Sequence, residues 1–144
     1  MIASKKTLRF LPECDYSLLG IVSTMKDYRV GHFLSLALLL EVEKLPDIEI
    51  EDINHQEVYY FSNYLVVSNN VDELIYLIGN RGSNGFFFQS LKEFDYFLLW
   101  IPSISVVEIE KINVIIRKIP DFFIVNSLKL KPAKDIDRLN WFMQ

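Results

Sequence analysis

The chain has 144 residues, of which 51% are hydrophobic, 14% aromatic and 24% charged. This composition excludes a disordered chain, because so much apolar surface can offset the entropy lost on ordering. The length predicts one domain. The formal net charge of −4 lacks the basic surplus of proteins that bind nucleic acid or acidic membranes, so neither is expected as a partner.

The single cysteine, Cys14, predicts a reducing compartment. It has no second cysteine with which to form a disulfide, and its acidic neighbours Glu13 and Asp15 favour an unreactive thiol. The longest apolar stretch, residues 33–40, is too short for a membrane span of about 20 residues. Since the N-terminal residues also lack the apolar core of a signal peptide, we expect a cytoplasmic protein.

The first third of the chain predicts a strand followed by a helix. Residues 8–11 indicate a minor strand, and the apolar run at residues 16–22 predicts the first core strand. A helix is predicted over residues 25–42, with Thr24 and Asp27 as a variant capping box. The second half of this helix is apolar on nearly every face, which is typical of a buried helix.

The middle of the chain predicts strands joined by turns. The acidic segment 41–52 alternates near its end and predicts an exposed edge strand at residues 48–51. Further strands are predicted at residues 58–67, at 73–79, from Phe86 onward and at 96–101. The last of these is a continuous apolar run, which favours a central strand buried on both faces.

The end of the chain predicts a second helix and a last strand. Ser105 and Glu108 form a capping box, the helix ends at Pro120, and a strand follows at residues 122–128. The apolar stripe of this helix is Ile109, Ile112, Ile116 and Ile119.

Together these elements predict the α+β class. We expect a single domain over residues 1–128, with a mixed or mostly antiparallel sheet of about five to seven strands and two main helices packed on it. Residues 129–144 are expected to form a C-terminal tail that packs on the domain or on a partner.

Two blocks of sequence resemble the bacterial IPExxxVDY family. Residues 18–29 read Leu-Leu-Gly-Ile-Val-Ser-Thr-Met-Lys-Asp-Tyr-Arg, and residues 76–81 read Tyr-Leu-Ile-Gly-Asn-Arg. The naming motif falls at residues 88–96, where Phe-Asp-Tyr matches its end and Phe-Gln-Ser stands in place of Ile-Pro-Glu. The positions that match the family's motifs are Asp27, Tyr28, Asn80, Arg81, Asp95 and Tyr96.

The resemblance covers about residues 16–128 and implies a cytoplasmic protein of the kind found chiefly in Bacteroidota. It implies no particular activity. Genes of this family often lie near those for ribonuclease III and fatty-acid synthesis, which suggests a housekeeping role.

A polar corner at the predicted strand-to-helix junction is the leading candidate for a binding site. Its residues are Ser23, Thr24, Lys26 and Arg29. N–H groups at a helix start and the positive end of the helix dipole favour an anionic ligand or a partner's carboxylate. The alternative is helix capping combined with a surface charge network. Asp95, just before a buried strand, is a second candidate, either as a general base or as a partner of a Lys or Arg side chain.

No catalytic residue, metal site or cofactor is predicted. His32 and His55 stand in no nucleophile signature, and one cysteine with two histidines cannot form a standard zinc cluster. The acidic residues 41–52 lack the register of a calcium loop, so a solvated edge is the simpler interpretation.

These observations leave three functional hypotheses. The first is a non-enzymatic interaction or assembly module, a homodimer that associates through an aromatic patch on the sheet or tail. The residues of that patch are Tyr59, Tyr60, Phe61, Tyr64, Trp141 and Phe142. The second is a protein or enzyme that binds a small anionic ligand at the Ser23–Arg29 corner. The third is an RNA-associated protein, suggested by Arg81-Gly82 before Phe86-Phe-Phe and opposed by the acidic charge.

Overall fold

A computed structural model describes Pro12 and residues 15–144. Within this part of the chain, six strands form one antiparallel sheet in the order β2-β3-β4-β5-β1-β6. The strands are β1 (Ser17–Ser23), β2 (Val42–Asp52), β3 (Glu57–Val66), β4 (Leu74–Gly79), β5 (Tyr96–Ile101) and β6 (Phe122–Leu128). The helices are α1 (Asp27–Leu38), α2 (Val106–Ile116) and α3 (Ala133–Phe142), with a short 3₁₀ turn at Gln89–Leu91. The predicted α+β class is therefore confirmed, and the sheet is wholly antiparallel.

Alternation along the central strands divides the core into two layers. Leu19 and Ile21 of β1 point to one face, here called face A, where α1 and α2 pack. Leu18 of β1 and Phe97 of β5 point to face B, which residues 87–94 and α3 cover. The central strand β5 is buried on both faces, as predicted from its unbroken apolar run.

Helix α1 is shorter than the predicted helix over residues 25–42. The predicted Thr24 capping box is wrong, because the helix begins after Lys26 with no side-chain cap, and Ser23 instead accepts a hydrogen bond from the N–H of Met25 at 3.1 Å. The helix ends where Leu39 takes a left-handed backbone conformation, with φ of 57°.

The expected burial of α1 on nearly every face is also wrong. Val30 and Leu34 are buried against face A, but Leu39 is 87% exposed and Leu36 is also exposed. The sheet covers only one side of the helix, and no described element covers the other.

Strand β2 is longer than the predicted strand at residues 48–51. It pairs with β3 from Val42 to Asp52, and the register shifts between Leu45 and Ile48. Pro46 lies in this irregularity, where an edge strand can tolerate a residue without an N–H. Acidic side chains of β2 lie along the exposed edge of the sheet.

Helix α2 and strand β6 match their predictions closely. The hydroxyl of Ser105 accepts a hydrogen bond from the N–H of Glu108 at 3.1 Å, which confirms the predicted cap. Ile109 and Ile116 of the predicted stripe are buried on face A. The helix ends at Ile116 and β6 begins at Phe122.

Residues 129–144, which were expected to form a tail, contain α3, a helix that the sequence reading missed. Ile136 and Leu139 of this helix pack into the core of face B. The aromatic side chain of Phe142 lies edge-on to Phe87 and Tyr76. The end of the chain therefore packs on the domain and covers the sheet.

The described helices are all short. The longest, α1, has 12 residues, and none of those in the described part of the chain is long and apolar enough to cross a membrane. Residues 8–11, where a minor strand was predicted, and Cys14 lie outside the described residues.

The predicted strand from Phe86 onward is wrong, because a buried asparagine organises this segment into a loop. Arg81 and Phe86 form only an isolated bridge. The side-chain amide of Asn80 donates to the carbonyls of Leu91 and Phe94, each at 2.9 Å, and its oxygen accepts from the N–H of Phe88 at 2.9 Å. The Asn80 side chain therefore connects both ends of the loop.

We predict that Asn80→Ala lowers the free energy of unfolding by about 3 kcal/mol, since two buried groups and one half-buried group lose their partner and a buried group costs about 1–3 kcal/mol when unsatisfied. Urea unfolding followed by circular dichroism measures the change. Asn84→Ala, at an exposed position of the same loop, serves as the control and should stay within about 0.5 kcal/mol of the unmodified chain. Equal stability of the two variants would contradict the role assigned to Asn80.

Candidate functional site

A cleft of about 760 Å³ opens where β1 leads into α1. Tyr96 pairs with Ile21 of β1 and with Gly79 of β4, so the end of β1, the end of β4 and the start of β5 lie side by side. The walls of the cleft are residues 23–27, Ser62, Gly79, Arg81, Asp95 and Tyr96. The cleft thus joins the predicted polar corner to Asp95, about 70 residues further along the chain.

Asp95 connects the segments that meet in the cleft. One carboxylate oxygen accepts from the N–H of Ser23 at 2.9 Å, and the other accepts from Nε of Arg81 at 2.6 Å. The Asp95 side chain is mostly buried, and that of Arg81 is about half exposed. Of the two roles considered for Asp95, the structure shows the ion pair with an arginine.

Two tyrosines support the floor of the cleft. The hydroxyl of Tyr64 donates to Oδ2 of Asp27 at 2.8 Å, and that of Tyr96 donates to the carbonyl of Met25. Burial raises the pKa of Tyr96 to about 12, and the nearby carboxylates of Asp27 and Asp95 add to this effect. Burial and the hydrogen bond to Asp27 also raise the pKa of Tyr64. Both phenols therefore remain neutral donors at physiological pH.

Two cations with unused hydrogen-bonding capacity line the cleft. Within the described part of the chain, the ammonium of Lys26 has no carboxylate at salt-bridge distance. Arg81 bonds to Asp95 through Nε and makes only a long contact of 3.4 Å from its outer nitrogens to the carbonyl of Lys92. The first N–H groups of α1 lie beside Lys26, and a helix start leaves such groups without intrahelical partners.

The structure brings together three of the four residues predicted for the polar corner. Ser23, Thr24 and Lys26 line the cleft. Arg29 does not, because its guanidinium lies 5.8 Å from the ring centre of Phe33, along the outside of α1. Lys26 precedes the helix and has an extended backbone, with ψ of 156°, so the three-residue spacing does not place its side chain on the helix face that carries Arg29.

The positions that match the family motifs divide between the cleft and its support. Asp27, Arg81, Asp95 and Tyr96 line the cleft. Asn80 is buried and shapes the loop behind it, and Tyr28 is exposed on α1.

Sequence reasoning missed Ser62 and Gly79, which also line the cleft. A Cβ atom on Gly79 would meet the hydroxyl of Ser62, which would have to rotate aside, so the glycine leaves room for this hydroxyl at the wall of the cleft. The two residues meet through the pairing of β3 with β4, which no local pattern in either segment reveals.

The other candidates form no site among the described residues. His55 lies in an exposed turn, where its Nδ1 is 2.8 Å from Oδ2 of Asp52, and this hydrogen bond lowers the pKa of Asp52. His32 is exposed on α1. No described group of three or more His, Cys, Asp or Glu side chains is placed to hold a metal ion.

The expected likeness to an RNA-recognition strand is not supported by the geometry. Phe87 and Phe88 are buried in the core of face B, whereas an RNA-binding sheet presents its aromatic rings to solvent. Phe86 lies instead against the cations of Arg81 and Lys92.

Comparison with known proteins adds no assignment, since no family model, curated protein or solved structure matches the chain. The resemblance to the IPExxxVDY family therefore stays a prediction.

We predict that the free energy of unfolding falls as the pH rises. The fall begins near pH 10, about the pKa of tyrosine in an unfolded chain, and continues to about pH 12, the folded-state pKa of Tyr96. Below about pH 10 the raised pKa of Tyr96 makes its full contribution to stability. This contribution is lost as the pH rises further, because the unfolded chain releases the phenolic proton before the folded chain does. Urea unfolding at a series of pH values measures this dependence.

The variant Tyr96→Phe should reduce this alkaline dependence without abolishing it, because the pKa of Tyr64 is raised as well. At neutral pH the variant should lower stability by about 1 kcal/mol through loss of the bond to Met25. Tyr60→Phe, at an exposed tyrosine, controls for removal of one phenol. An unchanged alkaline slope in Tyr96→Phe would show that this phenol does not link stability to pH.

Proposed function

We propose that the protein binds a small molecule carrying a carboxylate or phosphate group in the cleft between β1 and α1. The observation that carries this proposal is the presence of Lys26 and Arg81 in one cleft, each with unused donors, at a helix start that no side chain caps. The volume, about 760 Å³, lies within the range of about 300–1,000 Å³ that is usual for ligand sites.

The charges of the cleft favour a ligand with a single anionic group. Asp27 and Asp95 also line it, but both carboxylates already accept hydrogen bonds, from Tyr64 and from Arg81 and Ser23. An incoming anion would therefore contact the free ammonium of Lys26 and the outer edge of Arg81. Ser62 and Thr24 would supply neutral donors, which suits a ligand with further hydroxyl or carbonyl groups.

The proposal is for binding rather than catalysis. No histidine of the described chain lines the cleft, and its tyrosines are held neutral by burial. The cleft thus offers cations that hold a charge, and its two carboxylates, Asp27 and Asp95, are already engaged as hydrogen-bond acceptors. We place this binding in the cytoplasm, a proposal supported by the single cysteine and the absence of a disulfide partner.

The test is a thermal-shift and calorimetric screen with inorganic phosphate, a sugar phosphate and a hydroxylated monocarboxylate. We expect at least one of them to raise the melting temperature. Comparison of the phosphate and carboxylate arms identifies the anionic group. Lys26→Ala should then weaken binding about 10-fold or more, because a hydrogen bond to a charged group contributes about 1.5–3 kcal/mol.

Arg29→Ala is the matched control for this experiment. It removes the same charge from the same end of α1, but its side chain lies outside the cleft. We expect it to retain the affinity of the unmodified chain. Equal weakening by both substitutions would indicate general attraction by surface charge, and no shift with any probe would refute the proposal.

The interaction module expected from the sequence remains a second proposal. Its predicted contact is only partly available as a surface: Tyr60 and Trp141 are exposed, but Phe61 and Tyr64 are buried and Phe142 packs on the domain. A different surface, on α2, supports it.

A further inference from the structure

The outer face of α2 carries a stripe of exposed apolar residues. Val106, Val107, Val114 and Ile115 are 79%, 64%, 45% and 42% exposed. With Glu110 and Lys111 between them, they line one shallow and almost wholly apolar depression. We call these six residues the α2 stripe. An apolar patch of this kind on a folded domain marks an interaction surface.

The α2 stripe has the same pattern when read from either end. Its midpoint lies between Glu110 and Lys111. Counted outward from there, Val107 corresponds to Val114, and Val106 corresponds to Ile115. When two copies of this helix pack antiparallel about a two-fold axis, residues at equal distances from the midpoint face each other. The apolar residues of one copy then face the apolar residues of the other.

The charges at the centre of the stripe are complementary in that arrangement. Antiparallel pairing about the midpoint places Glu110 against Lys111 of the partner subunit, and Lys111 against Glu110 of the partner subunit. Parallel helices in register would place like charges together. Adjacent residues of one helix do not face each other, and within the described chain neither Glu110 nor Lys111 forms an ion pair.

The exposed apolar surface extends from α2 onto the end of α1. Ile115 lines a second depression together with residues 37–40, where Leu39 is almost fully exposed. A stable interface buries about 1,200–2,000 Å² in total, which is more than one helix face supplies. The contiguous surface at the end of α1 enlarges the area that a second copy can cover.

We infer that the protein is a homodimer in which the α2 stripes of two copies pack antiparallel about a two-fold axis. This inference is independent of the ligand proposal, because no residue lines both surfaces. It places the contact on the helical layer of face A, rather than on the aromatic patch expected from the sequence.

The first experiment measures the mass of the full chain by sedimentation at about 100 µM. We expect twice the mass of the chain. Val107→Asp should yield the monomer mass, because a carboxylate at the centre of the contact would be buried without a partner. Ile53→Asp is the control, since Ile53 is also exposed, in the turn between β2 and β3 and away from α2, and this variant should remain a dimer.

The second experiment tests the antiparallel arrangement with charge variants. Glu110→Lys and Lys111→Glu should each weaken the homodimer at least about 10-fold, because each replaces two attractive contacts with two repulsive ones. A mixture of the two variants should form a heterodimer, since both contacts become attractive again. The double variant E110K/K111E should recover the homodimer for the same reason.

Circular dichroism and melting temperature establish that each variant is folded. A monomer for the unmodified chain at this concentration would overturn the inference, even if another protein or a lipid surface binds α2. A dimer that persists in Val107→Asp would overturn the contact. Failure of the mixed charge variants to associate would overturn the antiparallel pairing.

Discussion

The buried side chain of Asn80 is the interaction on which both sides of the sheet depend. It binds the carbonyls of Leu91 and Phe94 and the N–H of Phe88, and these bonds hold the loop after β4 against the sheet. The loop places three phenylalanines in the core of face B. It also brings the chain back at Asp95, so that β5 can begin beside Gly79.

The same loop sets the geometry of the cleft on face A. The backbone N–H of Asn80 donates to the carbonyl of Asp95, and the N–H of Asp95 donates to the carbonyl of Ile21, at 2.9 and 2.8 Å. Asp95 is thereby fixed between Arg81 and Ser23. One buried amide thus supports the core on one face and the arrangement of charges on the other.

The sequence predicted elements whose causes are local and missed those whose causes are distant. The capping box at Ser105 and the unbroken apolar run of β5 identified their elements well, because both signals lie within a few residues. The start of α1 was misplaced because Asp27 bonds to Tyr64, 37 residues away. The segment after β4 was predicted as a strand because Phe86, Phe87 and Phe88 favour a strand. The hydrogen bond from the N–H of Phe88 to the side chain of Asn80 instead holds it in a loop.

The candidate site was likewise predictable where its residues are close in sequence, and was missed where they are distant. The polar corner of Ser23, Thr24 and Lys26 was visible because the residues are neighbours in sequence. The polar corner lies beside Arg81 and Asp95 because of the order of the strands in the sheet, which the sequence does not show. Arg29 lies outside the cleft because Lys26 precedes the helix, so the three-residue spacing from Lys26 to Arg29 does not place the two side chains on one helix face.

The distribution of apolar residues explains why the molecule has surface left for a partner. Residues 87–94 and α3 cover face B, whereas α1 and α2 cover face A and are themselves covered by no described element. A two-layer arrangement of this kind buries only the inner side of each helix. Polar residues would normally occupy the outer side, but here Leu36, Leu39, Val107 and Ile115 do so. The hydrophobic content of 51% therefore exceeds what the two cores use. About half of the exposed large apolar side chains in the described part of the chain lie on α1, at its end and on α2, where a second copy would cover them.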